Sequence, residues 1–64
     1  MKTYDIYELH GEAWCEAVYD IAHRVNMELG THFFPERDGA RLEDLAHRLH
    51  VRFNEDGSVV NERR

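Results

Sequence analysis

Glu12-Ala13-Trp14-Cys15-Glu16-Ala17-Val18-Tyr19-Asp20-Ile21-Ala22-His23-Arg24-Val25-Asn26-Met27-Glu28-Leu29 is the stretch on which the fold turns. Within it Trp14, Val18, Ile21, Val25 and Leu29 recur at steps of four, three, four and four, the period of one helix face. The spacing predicts a helix from Glu12 to Leu29, with Ala22 in the apolar stripe and Cys15 at its edge. Glu12 falls in the first turn, where a carboxylate suits the helix dipole, and Gly30 follows as a stop. The opposite face carries Glu12, Glu16 and Asp20, with Tyr19, His23 and Met27 beside them.

Working outward, Thr3-Tyr4-Asp5-Ile6-Tyr7-Glu8-Leu9 is rich in β-formers and reads as a short strand, the alternative being a first helical turn. Residues 31–39 form a connector in which Phe33 and Phe34 plug the core and Pro35 stops any continuing helix. A second helix is expected over roughly Gly39 to His50, N-capped by Asp38, with Leu42, Leu45, Ala46 and Leu49 on its buried face. Val51-Arg52-Phe53 and Ser58-Val59-Val60 flank Asn54-Glu55-Asp56-Gly57, a tetrad suited to a hairpin turn with Gly57 left-handed. The polar residues from Asn61 to Arg64 are expected to fray. The expected architecture is a small α+β domain over residues 1–64. Its order is β-α-α-β-β, with a short antiparallel sheet and C-terminal hairpin packed on two helices.

A chain of 64 residues offers one modest core, marginal without good packing, a metal or a second copy. It has 42% hydrophobic and 33% charged residues, a balance that fits a globular fold rather than a disordered one. One cysteine excludes an intrachain disulfide, and no apolar run is long enough for a signal peptide or a membrane span. A cytoplasmic setting in a bacterial host cell is the resulting expectation. The net charge of −5 is uneven: residues 1–30 hold six acids against two cations, and residues 31–64 hold seven acids against six arginines. A negative field repels nucleic acid and anionic membrane and steers encounter with basic surfaces.

Glu12, Glu16 and Asp20 stack at four-residue steps, about 6 Å apart along the axis. Like charges so placed cost helix stability, so the row points to binding a basic partner, with Asp5 and Glu8 extending it. A solvated helix face is the plainer reading. Against it stand the single sign of the row and the nearness of Tyr19 and Met27, residue types enriched at interfaces. Phosphates recur every 3.4 Å along a DNA strand, so a carboxylate row could fill a phosphate-binding cleft loosely.

Other chemistries are weaker. His10, His23, His32, His47 and His50 with Cys15 raise a zinc site, but the four-ligand spacings and paired cysteines of such sites are missing. No metal and no cofactor are therefore expected. Cys15 beside the apolar stripe reads as packing rather than as a nucleophile. No phosphate loop, nucleophile elbow or paired-acid motif appears, so the chain reads as non-enzymatic. Residues 42–51 look like the first helix of a helix-turn-helix, but a hairpin follows where a recognition helix should stand.

As a short, acidic, cysteine-poor domain with a Glu12/Glu16/Asp20 row, the chain resembles the small inhibitors of phages and mobile elements, including anti-CRISPR proteins. Acidic antitoxins resemble it as generally. The resemblance is one of type and rests on no specific motif. It implies stoichiometric inhibition, in which the acidic face acts as a DNA mimic and occupies the basic nucleic-acid cleft of a host defence complex. The expected partner is a basic nucleic-acid-binding protein or nucleoprotein, met by Glu12, Glu16, Asp20, Tyr19, His23, Met27, Asp5 and Glu8. Direct nucleic-acid and membrane binding are not expected, and the state is a monomer or weak dimer, with Val59-Val60 as the edge that would pair. The competing reading is a DNA-binding or transcriptional accessory protein using the 39–50 helix and the hairpin arginines.

Overall fold

α1 spans Gly11–Leu29 and α2 spans Pro35–Arg48. They are preceded by a 3-10 turn over Ile6–Glu8, in a computed structural model that describes residues 2–60. The expected frayed tail, Asn61 to Arg64, lies outside the described residues.

α1 matches the periodicity closely. Ala17, Val18, Ile21, Ala22 and Val25 are buried along one side of it. Gly30 ends the helix in the left-handed conformation, its N–H donating to the Asn26 carbonyl at 2.9 Å. Trp14 and Leu45 are partly buried, and two members of the expected stripes are exposed: Leu29 at 68% and Leu49 at 63%. Each stands at the end of its helix, beyond the last full turn that faces the core. Cys15, at the edge of the stripe, is exposed as well.

The α+β expectation is overturned, because the described residues are mostly helical and contain no β-strand. Where strands were expected there are two isolated antiparallel bridges, Tyr4 with Phe53 and Phe53 with Val59. At the N-terminus a capping box explains the difference. The Asp5 carboxylate accepts from the Tyr7 N–H at 3.1 Å while Glu8 accepts from the Asp5 N–H at 2.8 Å. These bonds curl the chain after Tyr4 and bury Ile6, where a strand would need extended backbone. The C-terminal turn itself forms: Gly57 N–H donates to Asn54 and Asn54 N–H to Ser58, with Gly57 at φ 93°. Within the described residues, Val60 adds one more bond, its N–H donating to the Arg52 carbonyl.

α2 begins four residues earlier than expected. Pro35 starts the helix rather than stopping one, since its missing N–H falls where no intrahelical bond is made. Asp38 is inside the helix at a kink (φ −114°, ψ 26°), not at its N-cap. Its carboxylate still does capping work by accepting the Phe34 N–H at 3.0 Å. At the other end His50 adopts φ 60°, which stops the helix short of the expected boundary.

The core joins these pieces. Ile6 and Leu9 from the 3-10 segment, the α1 stripe, and Leu42 and Ala46 of α2 close around Phe53, which has no exposed surface. Of the two connector phenylalanines, Phe33 packs on this cluster, whereas Phe34 is 60% exposed beneath the Arg37 guanidinium.

Candidate interaction face

On α1, at 100° per residue, Glu12, Glu16, Tyr19, Asp20, His23 and Met27 fall within one arc about 100° wide, opposite the buried stripe. The arc is about 22 Å long from Glu12 to Met27. All six are exposed except Asp20, which is half-buried. The helix forms because its apolar side is anchored in the core, so the polar side needs no stabilising role of its own.

Charge along the arc is not uniform. Glu12 and Glu16 have no ion-pair partner among the described residues. Asp20 is bonded by the Arg24 Nε at 3.3 Å, an i,i+4 pair that interrupts the single-sign row. The Tyr19 phenol, 55% exposed, donates to Glu36 Oε2 at 3.4 Å, and the charge of Glu36 with the hydrogen bond raises its pKa. Glu36, which lies in the first turn of α2, thereby brings a fourth carboxylate to the edge of the strip at Tyr19, beyond Glu12, Glu16 and Asp20.

Asp5 and Glu8 do not extend this face. Both are spent on the capping box, and Asp5 also meets His47 Nδ1 of α2 at 3.1 Å. Burial pushes the Asp5 carboxyl up, but the bonds from His47 and the Tyr7 N–H, with the charges of His47 and Arg52, outweigh it and hold it below the ordinary value. The Tyr7 ring lies 5.1 Å from the His47 ring, completing a joint between the N-terminal segment and α2.

At its C-terminal end the arc runs into a groove of about 610 Å³ between α1 and the segment after α2, lined by His23, Met27, Leu29, Leu49 and Val51 among others. Met27 is 72% exposed there. The periodicity of α1 placed Met27 on the exposed face; nothing in the sequence signalled that Leu29 and Leu49 would join it. Two further residues matter here. Arg24 carries a legible signal, its i+4 spacing from Asp20. Asn26, which accepts from the Phe33 N–H and Thr31 hydroxyl and donates to the Phe33 carbonyl, organises the connector from a position that looks like surface.

Among the described residues no group of three or more His, Cys, Asp or Glu side chains is placed to hold a metal ion. None of the described helices is long and apolar enough to cross a membrane. Compared with known proteins, the chain matches no family model, no curated protein and no solved structure.

Proposed function

We propose that this is a non-enzymatic binding protein that docks the acidic strip of α1 on a basic nucleic-acid-binding surface of a partner and blocks access to it. The observation that carries the reading is the arc itself: Glu12 and Glu16 are exposed and unpaired among the described residues, with exposed Tyr19 between them and Asp20. The capping box and the Asp5–His47 contact take Asp5 and Glu8 out of the docking surface. Arg24 dilutes Asp20, so Glu12 and Glu16 supply most of the field that speeds encounter. Tyr19 is the anchor, because aromatic side chains that become buried dominate affinity more than rim charges do. The anti-CRISPR-like and DNA-mimicking form of this reading makes the partner a host defence nucleoprotein.

The test is capture of partners from bacterial lysate by the tagged protein, with a Glu12→Gln/Glu16→Gln/Asp20→Asn variant alongside. The wild type is expected to retain a basic nucleic-acid-binding protein, to release it as salt rises, and to lose it in the variant. Relief of like-charge repulsion in the variant is offset by loss of the Glu12 interaction with the helix dipole and of the Asp20–Arg24 pair, each worth about 0.3–1 kcal/mol, so a urea melt run beside the capture separates lost binding from lost folding. Equal capture by both proteins, or indifference to salt, rejects the proposal. The rival DNA-binding reading draws on the 39–50 helix and the hairpin arginines; Arg48 of that helix is paired with Asp44, Arg52 donates to Thr3, and Arg63 and Arg64 lie outside the described residues. A gel shift of duplex DNA by the isolated protein would favour it instead.

A further inference from the structure

The groove beside the C-terminal half of α1 adjoins the acidic strip at Asp20, His23 and Met27 but leaves Glu12, Glu16 and Tyr19 outside it, and it asks for an occupant. Met27, Leu29 and Leu49, at 72%, 68% and 63% exposure, put three large apolar side chains around one concavity of a chain this short. Single exposed apolar residues are ordinary, but a contiguous group on a small domain marks an interaction surface. The slab-like shape, 33 × 30 × 16 Å, gives a thin core that gains from being covered on a broad side.

Charge selects the occupant. The protein carries −5 overall, so two copies repel in general, most strongly where Glu12 and Glu16 approach each other. In the groove, Asp20 is already engaged by Arg24, and the remaining charges alternate in sign. Arg24 and Glu28 lie on the same side of α1 four residues apart, and both line the groove. Arg24 uses only its Nε on Asp20, and its side chain is 56% exposed. Glu28 has no hydrogen-bond or ion-pair partner among the described residues. A two-fold axis between residues 24 and 28 of antiparallel α1 helices sets Arg24 of each copy against Glu28 of the other. One apposition thus forms two cross-pairs while the apolar residues close on each other. The pattern is self-complementary, as an interface between identical surfaces requires.

We infer that a second copy of this chain occupies the groove, giving a two-fold dimer built on the C-terminal half of α1 and Leu49. In that dimer Met27 and His23 turn inward, while Glu12, Glu16 and Tyr19 stay outside on both copies, so the assembly presents two acidic strips. A stable interface hides about 800 Å² per partner, roughly a sixth of the 4786 Å² accessible surface, so flanking parts of α1 must also be covered. Among the described residues, the edge at Val59 and Val60 holds an isolated bridge rather than a strand on which to build a competing pairing.

Sedimentation equilibrium of the full chain over micromolar to millimolar concentrations tests this. The mass is expected to rise from 7.6 kDa towards twice that value. Leu49→Asp, at an exposed position, is expected to hold the protein at the monomer mass with its helical circular dichroism intact. Arg24→Glu should weaken association at least tenfold, and Arg24→Glu/Glu28→Arg should restore it, which non-specific apolar sticking would not do. A wild type that stays monomeric throughout overturns the inference, whatever else the groove binds. So does a dimer that survives Leu49→Asp, or a charge swap that fails to rescue. Because Glu12 and Glu16 lie outside this interface, the Glu12→Gln/Glu16→Gln variant should dimerise as the wild type does. Failure of the dimer therefore leaves the acidic-strip proposal standing, and the reverse holds too.

Discussion

At its N-terminal end α1 is packed closely by the Gly57 turn and by α2, whereas at its C-terminal end it meets its own connector and borders an open groove with the segment after α2. Near residue 13 the Gly57 turn sits so close that a Cβ there would lie 2.1 Å from the Ala13 carbonyl oxygen. One residue on, the Trp14 indole N–H donates to Glu43 of α2 and its ring lies over Gly39, where an added Cβ would sit 3.2 Å from the ring and press it aside by a few tenths of an ångström. At the other end, Asn26 and Gly30 secure the connector, and Met27 and Leu29 face outward. The contrast teaches where this small fold spends its contacts. The end that carries the unpaired carboxylates is rigidly backed, and the end that carries the apolar groove is left open.

The sharpest way to break the contrast is Gly57→Ala. The methyl group meets backbone, which cannot swing aside, and the left-handed φ adds its own penalty, so a loss of more than about 2 kcal/mol is expected in urea unfolding. Gly30→Ala is the control at the open end. It has a similar left-handed φ of 69° but nothing within 4 Å of the added carbon, and should cost only about 1 kcal/mol. Equal losses at the two sites would mean that the close packing of Gly57 on α1 contributes nothing.

Asn26→Ala separates the two ends more gently. It strands the Phe33 N–H and C=O and the Thr31 hydroxyl, for about 1–3 kcal/mol. Amide hydrogen exchange should quicken at Phe33 and leave the bridge amides of Tyr4 and Phe53 protected. Uniform acceleration across the molecule would show that the connector and the N-terminal end unfold as one unit.

How far the sequence could carry this picture varies along the chain. α1 was legible because a long 3.6-residue period has no competing interpretation, and the exposure of Glu12 and Glu16 follows from it directly. The short segments were not. Val51, Phe53, Val59 and Val60 are β-formers around a genuine turn, yet Phe53 is held by one partner on each side, and its bond with Tyr4 spans a separation that no local pattern reports. At Thr3–Leu9 the β-forming composition misled, although Asp5 and Glu8 stand at the spacing of a capping box. Pro35 can end a helix, but its position after the extended Phe34 makes it a beginning. For the candidate site, the carboxylate row was visible but its neutralising partner Arg24 was undervalued. The diversion of Asp5 to His47, forty-two residues away, depends on tertiary placement alone.

The smallest expected effect is a pH dependence that belongs to the well-backed end. Asp5 keeps its charge to lower pH in the folded chain than in the unfolded one, because the hydrogen bonds from His47 and the Tyr7 N–H outweigh its burial. A carboxyl with a lowered folded pKa contributes stability that is complete above its ordinary value, near 4, and is lost as pH falls through the folded value. Asp38, held low by Arg37 and the Phe34 N–H, and Asp56, held low by Ser58, act with the same sign. Asp5→Asn keeps an oxygen for the Tyr7 N–H but gives up the charge facing His47. It should therefore be less stable than the wild type at neutral pH by about 0.2–1 kcal/mol, since His47 is more than half exposed. Thermal melts from pH 7 down to about pH 2.5 should show that gap closing below pH 4, with Asp38 and Asp56 still driving a common decline in both proteins. A gap that persists unchanged in acid would mean that the Asp5 carboxylate acts by shape alone, and that the joint between the N-terminal segment and α2 owes nothing to charge.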